Sequence, residues 1–189
     1  MRKQLLFIAV FLVSFSACRQ SNKEVNSNKS NSVSSISSQN TDTLLALAAA
    51  YVKRPGEKKE DLDRAKLLLG KAERINEQAK NEIDEGRIYF IYSTPFREAG
   101  DTATGHQYLT SSISHFQNKH AVLELGDAFM EEAYYYGIST PDHLAKKVRC
   151  YEHASEQFQQ TNNKEKLGFA LKNGAFYRLY RAEKIVYRR

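Results

Sequence analysis

From residue 42 onward, apolar residues recur at intervals of three and four and never alternate over the length of a strand. That is the period of helices that bury one face. The spacing predicts helices over 42–53, 60–76, 79–98, 101–118, 120–137, 142–160 and 163–181, with a last short one running to Arg189. The breaks fall at Arg54-Pro55-Gly56, Gly100-Asp101, Gly137 to Pro141 and Thr161-Asn162-Asn163, all rich in turn formers. Asp42, Asp101 and Thr140 read as N-caps, the last followed by Pro141 at a first helical position where its missing N–H costs nothing. Pro95 falls late in its helix and is expected to kink or end it near Thr94. The expected fold class is all-α, a string of antiparallel helical hairpins.

Ahead of residue 42 the pattern changes twice. Arg2 and Lys3 precede an apolar run from Leu5 to Phe15, then Ser16 and Ala17 stand before Cys18. A run of about eleven residues is too short for the roughly twenty that cross a bilayer, so residues 1–17 read as a signal peptide. Phe15-Ser16-Ala17-Cys18 resembles a bacterial lipobox, with Phe where Leu is commonest. The resemblance implies a lipoprotein acylated on Cys18 and held on a membrane by two or three chains, far more firmly than by one. Residues 19–41 then hold eight Ser and five Asn among twenty-three, without an apolar period. Such a stretch cannot bury enough surface to offset its ordering entropy, so 18–41 reads as the lipidated cysteine and a disordered tether with a reach of ~25–30 Å. The organisation expected is therefore signal peptide 1–17, tether 18–41 and helical domain 42–189. Arg19 and Gln20 follow the cysteine without an acidic run, which by resemblance to outer-membrane lipoproteins implies the periplasmic face of that membrane.

The helices also repeat. Leu44-x-x-Leu47-Ala48-x-x-Tyr51 returns as Tyr89-x-x-Tyr92-Ser93-x-x-Phe96, and Ala65-x-x-x-Leu69-x-x-Ala72 as Gly105-x-x-x-Leu109-x-x-Ser112. Small residues of the first helices fall at Ala48, Ser93, Ala133 and Ala175, spaced 45, 40 and 42. Those of the second helices fall at Ala72, Ser112 and Ala154, spaced 40 and 42. These columns resemble the tetratricopeptide repeat in a long variety of about forty residues, in which small residues let two helices approach and aromatics fill the space to the next hairpin. The resemblance implies a right-handed solenoid of about three and a half hairpins. There are departures: Glu132 stands where Leu is usual, Arg178 where an aromatic is usual, and the third unit carries two extra residues around Ser139 to Asp142. The fourth unit stops at Arg189, inside what the repeat makes its second helix. The last hairpin is accordingly read as incomplete, leaving Ile185, Val186 and Tyr187 uncovered for self-association.

Composition narrows the chemistry. With 9 Gly and 3 Pro against 11 Tyr and 10 Phe, a fold of many short strands is excluded, and 2 Cys cannot staple a disulfide scaffold. The formal net charge of +6, of which Arg2 and Lys3 supply two, demands no nucleic acid. The basic, aromatic-bearing stretch from Lys172 to Arg189 would suit one, but an envelope lipoprotein does not meet it. His106, His115, His120, His143 and His153 include no pair at the i, i+4 spacing of a helical zinc site. Cys150, beside Tyr151 on a packed helix, reads as a buried inert thiol without an assignable base. Glu131-Glu132 and Asp84-Glu85 are adjacent carboxylates that point to different sides of a helix, so each reads as solvated face. With no Gly-rich phosphate loop, Cys-x-x-Cys or nucleophile elbow, the sequence predicts no enzyme, no cofactor and no metal.

What is left is a surface. In arrays of the family resembled, the concave groove is lined by residues three before and one after the small position of each first helix: here Leu45 and Ala49, Phe90 and Thr94, Met130 and Tyr134, Lys172 and Phe176. The resemblance therefore implies a peptide-binding strip of Phe90, Met130, Tyr134 and Phe176, flanked by Arg87, Arg97 and Lys172, for a protein segment with apolar anchors and some acidic residues. The expected function is a membrane-anchored scaffold for another protein. The alternative is the periplasmic sensory arm of a shortened envelope regulator.

Overall fold

The computed structural model describes residues 40–56 and 58–186, with side chains to residue 183. The segment expected to be a signal peptide, Cys18, residues 19–39 of the expected tether, and the trio Ile185, Val186 and Tyr187 expected to be uncovered lie outside the side chains so described. The described chain is all-helical: α1 (40–52), α2 (Lys59–Ala79), α3 (Glu82–Glu98), α4 (Thr102–Asn118), α5 (Val122–Glu132), a 3-10 turn (Ala133–Tyr135), α6 (Pro141–Gln159) and α7 (Lys164–Val186).

The helix starts follow local chemistry. Asp101 accepts from the Thr104 N–H at 3.1 Å and Thr140 Oγ1 from the His143 N–H at 3.2 Å, as expected. Asn81 caps α3, and its backbone exchanges two hydrogen bonds with the side chain of buried Asn76, at 3.0 and 3.1 Å. That exchange, with Lys80 in the left-handed region at φ 52°, makes the α2–α3 link only two residues long.

Four expectations are corrected. Asp42 is no cap, because α1 already runs from residue 40 and buries Thr41. Pro95 does not end α3, which continues to Glu98 with the ring buried. The proline removes one backbone bond only a turn before the helix stops anyway, so packing outweighs the loss. The helix expected over 120–137 ends at Glu132 and tightens into a 3-10 turn. Finally, α7 continues through residue 186 without the break expected near 181.

From α2 onward, helices adjacent in sequence pack against one another. At the α3–α4 crossing Gly86 lies under Phe116, and at α5–α6 Gly126 lies under Phe158, where an added Cβ would come within 2.7 and 2.4 Å of the rings. The two glycines stand 40 residues apart and the two rings 42. The small residues of the sequence columns, Ala48, Ser93 and Ala133 and then Ala72, Ser112 and Ala154, are all fully buried. The core they thread is a chain of adjoining clusters: Leu45, Leu69 and Ile88, then Leu109, Phe116 and Leu125, then Tyr151, and last Phe158 with Ala170. Ala175 breaks the column. It is exposed, and Gly174 beside it is buried against Tyr151.

Candidate functional site

The odd-numbered helices are tied in series by polar contacts that reach 34 to 45 residues along the chain. Arg87 of α3 pairs with Asp42 of α1 and, at 3.1 Å, with Asp84. Tyr135 Oη donates to the Ser93 carbonyl at 3.0 Å. Arg97 of α3 meets Glu131 of α5 at 3.0 Å, and Thr94 Oγ1 donates to the same carboxylate at 3.3 Å. Asp127 of α5 receives Lys166 of α7.

Between α1, α3 and α5 these contacts leave a cleft of about 250 Å³. Its apolar lining is Ala49, Phe90, Ile91, Phe116 and Leu123, and its charged lining is Lys53 and Arg87, with Glu124 and Asp127 from α5.

The expected strip divides accordingly. Phe90 and Arg87 line this cleft. Met130 is partly buried between the clusters around Tyr151 and Phe158 of α6. Tyr134 is 54% exposed, with the Arg97 guanidinium 5.3 Å from its ring centre. Lys172 and Phe176 are exposed on α7, where Phe176 stacks on Tyr180 with centroids 6.4 Å apart. Leu45, read as a groove residue, is 1% exposed and belongs to the core.

Of the carboxylates read as solvated, Asp84, Glu131 and Glu132 are largely covered, while Glu85 keeps 40% of its side chain exposed. Asp84 is buried, and burial raises its pKa against the pull of Arg87. Arg97 resists burial because Glu131 and Glu98 hold its charge and raise its pKa. Both arginines of the strip are thus already engaged by this chain's own acids. No local pattern marks these partners, since Asp42 and Glu131 lie 45 and 34 residues away from the arginines they meet.

Two other clefts hold chemistry-bearing groups. One of about 540 Å³ is lined by Glu73, Glu77, Glu82 and Glu85. Three of these are engaged: Glu85 accepts from Tyr89 and Glu73 from Tyr92, each at 3.0 Å, and Glu82 pairs with Lys119 at 2.9 Å. The other, about 440 Å³, contains Glu132, Cys150 and His153. Burial and the nearby Glu132 push the Cys150 thiol up to about 12, far from a thiolate at neutral pH. Among the described residues no group of three or more His, Cys, Asp or Glu is placed to hold a metal, and no helix is long and apolar enough to cross a membrane.

No family model, curated protein or solved structure gives a match to this chain.

Proposed function

We propose that the chain is a non-enzymatic docking scaffold, a tetratricopeptide-like right-handed solenoid whose first helices present a groove to a protein segment, tethered to the bacterial envelope through acylated Cys18. The observation that carries this reading is the return of one contact geometry about every forty residues. Gly86 and Phe116 are answered by Gly126 and Phe158, and the apolar-floored cleft opens between successive first helices. In such an array function resides in the surface that the repeats extend. The arginines of the strip being engaged, the apolar floor rather than an anionic contact anchors the partner: one aliphatic or aromatic side chain seated on Phe90 and Leu123.

A photo-crosslinking residue at Leu123 in the full chain, expressed in an envelope-bearing host, tests the groove. Crosslinks to a defined protein from Leu123, competed by Ile91→Arg and absent from exposed Lys71, support it; identical products from both positions refute it. The anchor is tested separately. Cys18→Ala should abolish fatty-acid labelling and release the chain from the membrane fraction, and persistent labelling refutes that part alone.

A further inference from the structure

One wall of the cleft between α1, α3 and α5 is the helix into which residues 19–39 lead, since α1 starts at residue 40. Two residues further on, Asp42 pairs with Arg87, which itself lines the cleft. The preceding segment is therefore delivered to the edge of the cleft. In the stretch 19–39 the aliphatic residues are Val25, Val33 and Ile36, and the two nearest to α1 stand three residues apart. From Ser30 to Gln39 there is no charge to keep them in water.

Reach and charge both fit. Ala49, on the cleft wall, lies nine residues beyond residue 40, about 13 Å along the helix axis. An extended chain covers about 3.3 Å per residue, so Ile36, four residues before α1, reaches ~13 Å, and Val33, seven before, reaches ~23 Å. Of the four charged lining groups, two are committed: Arg87 to Asp42 and Asp84, and Asp127 to Lys166. Lys53 and Glu124 pair with no described residue. The charge next to the aliphatic pair is Lys29, and Glu124 is the acid left to receive it. Two aliphatic side chains suit a cleft of about 250 Å³ lined by Phe90, Ile91 and Leu123. Such a contact needs little intrinsic affinity, because a short link sets an effective concentration in the millimolar range.

We propose that, when no partner is bound, residues 29–36 of the same chain occupy this cleft, with Val33 and Ile36 on its apolar lining and Lys29 at Glu124. This self-docking, which rests on the reading of the cleft as the groove, adds regulation to it. A partner must displace the segment, so its apparent affinity falls in proportion to the fraction of chains whose cleft stands open. An anchor larger than valine or isoleucine wins the site, and a smaller one is excluded.

The test uses the full chain in an envelope-bearing host. An aliphatic diazirine residue at Val33 should give crosslinked products of single-chain mass, mapped to 87–94 and 121–127, at least fivefold more abundant than from the same residue at Ser21. Glu124→Lys should cut the Val33 products several-fold, and Lys29→Glu added to it should restore them, with circular dichroism of each variant checking the fold. Equal products from Val33 and Ser21, products of double mass alone, or yields indifferent to both charge changes each overturn the proposal. Where Leu123 crosslinks to another protein, Val33→Ser with Ile36→Ser should raise that yield several-fold, and an unchanged yield overturns the regulation. Partner crosslinks from Leu123 without Val33 products remove self-docking alone; Val33 products without a partner at Leu123 remove the partner reading alone.

Discussion

The Lys147 ammonium donates to the Ala133 carbonyl at 2.7 Å and to the Tyr136 carbonyl at 3.0 Å. One buried lysine thus caps the place where α5 tightens and stops. Carbonyls at a helix end lack intrahelical donors and carry the negative end of the dipole, so a cation there satisfies both needs at once. Its charge is sheltered by the rings of Tyr134 and Tyr177, 5.8 and 5.1 Å from Nζ.

Lys147→Met keeps the volume and removes the donors, leaving the Ala133 carbonyl to the Tyr136 N–H at 3.4 Å and taking the ammonium from the Tyr136 carbonyl. We expect a loss of about 1–3 kcal/mol in urea unfolding. The adjacent Lys146 carries an exposed i, i+4 pair with Asp142, so Lys146→Met should stay within about 0.5 kcal/mol. Equal effects at both positions would contradict the cap.

Burial of the small columns sets a second contrast. Ala133→Leu and Ala154→Leu overpack fully buried crossings and should each cost about 1–3 kcal/mol. Ala175→Leu, at the same repeat position but exposed, should leave the single chain's thermal midpoint nearly unchanged.

That contrast also marks how far the sequence could be read. Ala48, Ser93, Ala133, Ala72, Ser112 and Ala154 were legible as crossings because a small residue at a fixed step is a local requirement of two close axes. The cavity floor was half legible: Phe90 followed from the period, whereas Ile91 and Leu123 depend on how far neighbouring first helices stand apart. The exposure of Ala175 was not legible, because it depends on a neighbour rather than on α7 itself. Nor were the pairs Arg87–Asp42 and Arg97–Glu131, or the role of Lys147: a charge finds its partner in three dimensions, and no period records the match. Pro95 misled because its penalty is large in a helix interior and small beside the end.

Alkaline pH should weaken the fold. The folded pKa of Cys150 is raised from 9.0 to about 12, chiefly by burial. Burial likewise pushes Tyr89, Tyr135 and Tyr136 from 10.0 up to about 12. Each group holds its proton more tightly when folded, so its stabilisation is complete below the unfolded value and is lost as pH rises toward 12. Lys147, lowered from 10.5 by burial, acts with the opposite sign. Stability should therefore fall from about pH 9, and in Cys150→Ala the fall should begin nearer pH 10. A thermal midpoint flat from pH 8 to 11 would contradict the burial of these groups.

The Arg97–Glu131 contact joins α3 to α5 with little solvent around it, the side chains being 21% and 14% exposed. In a double-mutant cycle of Arg97→Met and Glu131→Gln, a coupling of about 0.5–3 kcal/mol is expected. Lys59–Asp63, exposed on a single helix, should couple far more weakly. The cycle separates an inter-helix tie from a surface pair, and equal couplings would remove the tie.

The closest test of the repeat geometry lies in the glycines. A methyl group at Gly126 would stand 2.4 Å from Phe158 Cε1, and one at Gly86 2.7 Å from Phe116 Cε1. The rings fill the space between paired helices and are themselves fully buried, so neither can retreat without opening the crossing. Gly126→Ala and Gly86→Ala should each destabilise by about 1–3 kcal/mol despite alanine's better helix propensity. At Gly168 on α7 nothing lies within 4 Å of the added methyl, so propensity acts alone and Gly168→Ala should stabilise the single chain by about 0.5–1 kcal/mol. Three identical chemical changes in three helices are thus expected to split by sign, measured as urea midpoints at one chain concentration low enough to exclude pairing. Stabilisation at Gly86 and Gly126 would mean that the two helix pairs do not cross at these glycines, and the forty-residue recurrence would lose its structural basis.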